Sequence, residues 1–288
     1  MLVELRRFDP ALARARQAVI EQDRLGAIKW ATSSLERRPS GPEAVRIAAH
    51  QLSELLFPDE AEAYYQRLHT LNRFEKQDAH VRALGLTRAN QREKAVAAYE
   101  EILAGDPTDA LALQRLAALQ WLRGRSDDAL AVAERLAKTS EGAVAGHTIL
   151  AEVSHEVGRR RDAIVHFRRV LEIDPELRSL TQPQVIFYAQ FGGDLLTEGL
   201  ASEARTVLRK AVETNREPGL FDLMGRACLD DGDPVEAAEW WRRSTEIDPE
   251  RVAPWLHLGK LALKGGNPAE AAELLNRALS LALPSMRS

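Results

Sequence analysis

The chain has 288 residues, a formal net charge of −4 and 45% hydrophobic residues. That charge leaves no global basic footprint of the kind nucleic-acid binding requires, and no apolar run is long enough for a membrane span. Cys228 is the only cysteine, which excludes an internal disulfide framework.

The opening stretch, Met1 to Arg7, carries arginines with no apolar run behind them, so it does not read as a signal peptide. The expected location is the cytoplasm, the alternative being the soluble part of a membrane-anchored or larger protein. Beyond it, Ala27, Ala61, Ala95, Ala129 and Ala163 recur every 34 residues, and Ala204, Ala237 and Ala271 continue the series after one longer step. Twelve residues before each of these anchors stands Ala15, Ala49, Ala83, Ala117, Ala151, Gly192, Gly225 or Gly259. A fixed period of this length marks a solenoid. A unit of 34 residues accommodates two helices and two short turns, and a small residue in each helix lets the two axes approach closely.

The side chains around each anchor agree with that reading. Four residues after it come Tyr65, Tyr99, Phe167, Leu208, Trp241 and Leu275; seven after it come Leu68, Ile102, Leu136 and Val170. These offsets share one face of a helix. Five residues before it stand Gly124, Gly158, Gly199, Gly232 and Gly266, with Asn90 in the third unit, as expected where a helix ends in the left-handed conformation. Asp233-Pro234 and Asn267-Pro268 each supply an N-cap and a proline at the first helical position. Pro39, Pro107, Pro175 and Pro249 then stop the second helix. The predicted units are residues 8–39, 42–73, 76–107, 110–141, 144–175, 185–216, 218–249 and 252–283, one array over 1–288 with an insertion at 176–184. That insertion reads as a tolerated longer connection in preference to a hinge or contact loop.

This pattern resembles the tetratricopeptide repeat. Trp255-Leu256-His257-Leu258-Gly259, followed by Gly266, Ala271 and Ala278, is close to that family's consensus, and the resemblance covers roughly residues 8–283. The first three units depart from it, with Arg14 and Arg82 in place of leucine and Gln22 or Leu56 in place of glycine. The resemblance implies an all-α right-handed superhelix whose first helices line a concave groove that holds a partner.

Mapped by distance from the anchors, the groove would present Arg16, Arg46, His50 and His80, with Arg88 slightly further round. The middle would carry Gln114, Trp121, Glu152 and His155. An apolar stretch of Ala189, Gly193 and Leu196 follows, then Asp222, Arg226 and Lys260. The amino-terminal half of this face reads as basic, suited to an acidic or carboxylate-bearing segment. The lysine and asparagine clamp with which some family members hold a partner's terminal carboxylate is missing from the corresponding positions.

No catalytic constellation emerges: there is no phosphate-cradling glycine loop, no nucleophile elbow and no metalloprotease motif. His147 and His155 lie near Glu152 and Glu156 but fall on diverging faces, so no metal or cofactor is expected. The carboxylates read as solvated helix faces, and Cys228 as a packing thiol. The last helix offers Leu274, Leu281 and Leu283 with only Pro284–Ser288 after it, so a second copy of the chain, or residues beyond this sequence, is expected to cover it. The expected function is a non-catalytic protein–protein interaction scaffold. The alternatives are a regulatory or targeting region of a larger enzyme, such as a transferase, and a self-assembling structural scaffold.

Overall fold

The computed structural model describes residues 9–180 and 183–283. The readings made at Met1–Arg7 and Pro284–Ser288, and at positions 181 and 182 of the insertion, lie outside those residues. Among the described residues are sixteen α-helices and no strand. They pair in sequence as α1 (Pro10–Ile20) with α2 (Arg24–Arg37), α3 (Pro42–Glu54) with α4 (Pro58–Thr70), α5 (Lys76–Arg88) with α6 (Arg92–Gly105), and α7 (Ala110–Leu122) with α8 (Ser126–Ala137). The series goes on with α9 (Ala143–Glu156) and α10 (Arg160–Ile173), α11 (Gln184–Thr197) and α12 (Ala201–Thr214), α13 (Pro218–Asp230) and α14 (Pro234–Ile247), and α15 (Val252–Lys264) and α16 (Pro268–Ala282). The chain forms two compact units, residues 1–142 with α1–α8 and residues 143–288 with α9–α16. The fold is an all-α solenoid of helix hairpins.

The small residues lie where two helices meet. All eight anchor alanines are buried, as are the sixteen-residue set's other members from Ala15 to Gly259. In the last three hairpins glycine is required. A Cβ on Gly192, Gly225 or Gly259 would come within 2.6 Å of Leu208, 2.5 Å of Trp241 or 2.7 Å of Leu275. Each obstructing side chain stands four residues after its hairpin's anchor. Where that position holds Tyr65, Tyr99 or Phe167, the facing small residue is alanine and the ring is fully buried all the same.

The eight positions five residues before the anchors all adopt positive φ: Gln22, Leu56, Asn90, Gly124, Gly158, Gly199, Gly232 and Gly266. Hydrogen-bond geometry dictates this at the end of each first helix, whatever residue is present; the amide after each closes back on the preceding turn, as Phe57 N does on Leu52 O at 2.9 Å. Asp233 and Asn267 cap α14 and α16 by accepting from the amides of Glu236 and Glu270 at 3.0 and 3.3 Å.

The unusual arginines of the early hairpins have partners of their own. The Arg14 guanidinium lies 4.5 Å over the Trp30 ring. Arg82 bridges Glu62 and Glu101, each at 2.8 Å. After α10 the longer connection tucks Leu177 into the core of the second unit, while the Asp174 carboxylate accepts from the Ser179 amide at 2.7 Å. In the last hairpin Leu274 and Leu281 are half-buried, and Leu274 packs against that same core; Leu283 is exposed.

Candidate functional site

Within the first unit α1 packs on α3 and α3 on α5; within the second α9 packs on α11 and α11 on α13. The second helices show no packing of that extent on one another. First helices therefore stack directly along α1, α3 and α5 and along α9, α11 and α13, and the face they form is the one the family resemblance makes the inner face.

The first unit's inner face is a chain of ion pairs between successive first helices. Arg16 on α1 makes a two-pronged contact with Glu43 on α3, both bonds 2.5 Å. Arg46 and His50 on α3 converge on Asp78 of α5, at 2.8 and 2.7 Å. Arg46 also donates to the Arg73 carbonyl at 2.7 Å and pairs with Glu75 at 2.8 Å. His80 on α5 reaches Asp109, the N-cap of α7, at 3.0 Å, and Lys76 holds the same carboxylate at 2.6 Å. Arg88 pairs with Glu54 of α3 at 3.0 Å.

Asp78 and Asp109 are buried, so these pairs differ from surface pairs. Burial pushes the Asp78 carboxyl up, but Arg46, the Glu75 amide and His50 together hold it below the usual carboxylate range. Burial likewise opposes Asp109, and Lys76, the Ala112 amide and His80 outweigh it. Both acids occupy helix N-terminal positions, where free amides and the helix dipole favour an anion. The expectation of solvated carboxylates is thereby corrected, because these acids are structural. Arg16, Arg46, His50, His80 and Arg88 are not a free basic surface either, since each faces an acid partner. On α7, Gln114 and Trp121 are half-buried; no polar or ring contact engages the Trp121 side chain, and its indole N–H has no acceptor among the described residues.

The second unit has a different inner face. His155 on α9 contacts Asp194 of α11 at 2.9 Å, and burial raises the Asp194 carboxyl. Glu152 is half-buried, pushed up by burial and then by Glu156. Asp222 on α13 is buried and takes the Arg251 guanidinium on one oxygen, leaving Oδ1 without a partner. Arg226 and Lys260 are exposed and make no ion pair. His147 turns to His166, Nδ1 to Nδ1 at 3.2 Å, away from His155. No group of three potential metal ligands occurs among the described residues. Cys228 is buried in the core, and burial raises its thiol to about 12, which favours the protonated form.

Mapping from the anchors found the cations but missed Asp78, Asp109 and Asp194, because these acids stand at different offsets from their anchors. The usable signal is separation. Arg46 and His50 precede Asp78 by 32 and 28 residues, and His80 precedes Asp109 by 29, close to one repeat in each case.

A hairpin array of this kind defines an α-solenoid. Residues 80–144 and 223–285 match the tetratricopeptide-repeat family model, so the chain contains tetratricopeptide repeats over those residues. Among solved structures it is similar to YrrB, described as a tetratricopeptide-repeat protein with an unusual peptide-binding site. That match has 18% identity and a TM-score of 0.57 and covers 65% of this chain and 94% of that one. MamA of Desulfovibrio magneticus gives 19% identity and a TM-score of 0.54 over 61% and 96% of the two chains. A repeat protein of Parabacteroides merdae gives 16% identity and 0.52 over 93% and 97%. No curated protein matches the sequence. No helix of the described residues is long and apolar enough to cross a membrane.

Proposed function

We propose that the chain is a non-catalytic scaffold that holds a segment of a partner protein on the inner faces of its first helices. The observation that carries this reading is Trp121. A large aromatic side chain, partly exposed and with an unbonded indole N–H, offers apolar area and a directional donor together, the combination found at interaction hot spots. The fold gains little from leaving that donor without an acceptor. YrrB, similar in fold, is described as having a peptide-binding site, which fits a peptide on this face.

The partner segment would be extended or helical, and it would be acidic only where cations are free to meet it. Arg16, Arg46, His50, His80 and Arg88 of the first unit already face acids, whereas Arg226 and Lys260 are available in the second. A partner recovered from the native host on the immobilised chain, then purified, should bind Trp121→Ala about tenfold or more weakly, at a temperature where far-UV circular dichroism shows the variant folded. Equal binding by that variant removes Trp121 as the anchor and, with it, the reading of this face.

A further inference from the structure

A second surface surrounds α14 in the second unit. Between α14 and the carboxyl-terminal ends of α13 and α15 is a cleft of about 530 Å³, floored by Leu229, Val235, Ala238 and Leu261 and rimmed by Arg242 and Lys264. Its volume falls within the roughly 300–1,000 Å³ of ligand-binding clefts. Val235 is 70% exposed, a high value for a branched aliphatic residue inside an amphipathic helix.

The charges around the cleft fall into two sets. Asp231, Asp233 and Glu236, the acids at the start of α14, are all taken by Arg205 of α12. Glu236 also takes Arg209 at 2.8 Å. The charged side chains lining the cleft itself are Arg242 and Lys264. Arg242 and Lys264 pair with no carboxylate among the described residues, and the nearby acids Asp230 and Glu239 reach neither. An apolar floor between two unpaired cations is complementary to aliphatic side chains flanked by carboxylates, the pattern of an amphipathic acidic segment laid into a groove.

We propose that this cleft docks an acidic, leucine-bearing segment of a partner protein. The floor takes the leucines, and Arg242 and Lys264 meet the flanking carboxylates and fix the register. This surface does not depend on Trp121 and stands or falls separately from the inner-face reading.

The test is fluorescence anisotropy on the full chain with a labelled peptide of about twelve residues, three helical turns, bearing leucine at i, i+3, i+4 and i+7 and glutamate elsewhere. A counterpart with lysine for glutamate is the control. The glutamate peptide should bind, and its affinity should fall as salt rises. Arg242→Glu with Lys264→Gln should weaken it about tenfold or more; glutamine is chosen because Lys264 also serves the last turn of α15. Val235→Asp, at an exposed position that leaves folding intact, should weaken it similarly. Arg226→Glu and Trp121→Ala should not. No binding, equal binding of the lysine peptide, affinity unchanged in the cleft variants, or loss of binding in Arg226→Glu alone each overturns the proposal.

Discussion

Leu56 shows what a single residue contributes to this array. It occupies a left-handed position, φ 65°, that other hairpins fill with glycine, and its side chain is half-exposed. The left-handed conformation costs a residue with a Cβ about 1–2 kcal/mol, while glycine returns part of that through unfolded-state entropy. Leu56→Gly should therefore stabilise the chain by about 0.5–1 kcal/mol, read as a higher urea midpoint. Arg46 tests the ion-pair chain. Removing it leaves Asp78 buried with only His50 and an amide, so Arg46→Ala should cost on the order of 2–3 kcal/mol. That lies below the usual cost of breaking a buried pair because the guanidinium is partly solvated. Arg16→Ala, which breaks an exposed pair, should cost about 1 kcal/mol or less in the same denaturation series. His257 stacks on Trp241 at 4.7 Å, and burial, Lys260 and Arg226 hold its pKa below the ordinary histidine value. The unfolded chain then binds the proton more readily, so stability is fully present above about pH 6.5 and is lost as pH falls toward the lower folded value. His257→Phe keeps the stacked ring without the titrating nitrogen, and it should flatten the decline in thermal midpoint between about pH 7 and 5.

At the scale of the helix hairpin, the governing device is the exchange of size across one contact. Gly225 and Trp241 are the sharpest case, since a Cβ on the glycine would meet the indole at 2.5 Å. Gly225→Ala should cost about 1–3 kcal/mol by overpacking. Combined with Trp241→Leu, it should cost less than the sum of the two single changes, the sign of direct coupling in a double-mutant cycle. Cys228, one turn on along α13 and fully buried, gives a local reporter. Thiol labelling of the native protein should be slow, and Gly225→Ala should accelerate it. These contacts were legible in the sequence because two antiparallel helices can close only over small side chains, so the requirement repeats with the hairpin. The arginines at positions 14 and 82 were legible only as departures from the pattern. Their partners, Trp30 for one and Glu62 with Glu101 for the other, come from neighbouring helices at offsets that no repeat rule specifies.

For the molecule as a whole, the net charge of −4 conceals how its cations are used. Most inner-face cations of the first unit are neutralised by carboxylates among the described residues, so that face offers a duplex few contacts that would release counterions. Electrophoretic mobility of a duplex DNA probe at about 0.15 M salt should be unchanged by the protein. A retarded band would show that Arg226, Lys260 and their neighbours suffice as a footprint. The sequence by itself determined the helix hairpins, their small-residue contacts and the left-handed turns that end the first helices. Each follows from backbone geometry that recurs whenever the unit recurs; at Gln22 and Leu56, which read as departures from the pattern, the structure shows the same left-handed turn. Only the tertiary structure decided which charged side chains are free. Whether Arg46 is a ligand-binding cation or the partner of Asp78 depends on a carboxylate some thirty residues away, brought beside it by stacking one hairpin on the next. Burial then fixes the ionisation of that carboxylate, and burial is a property of the packed array rather than of any residue in it.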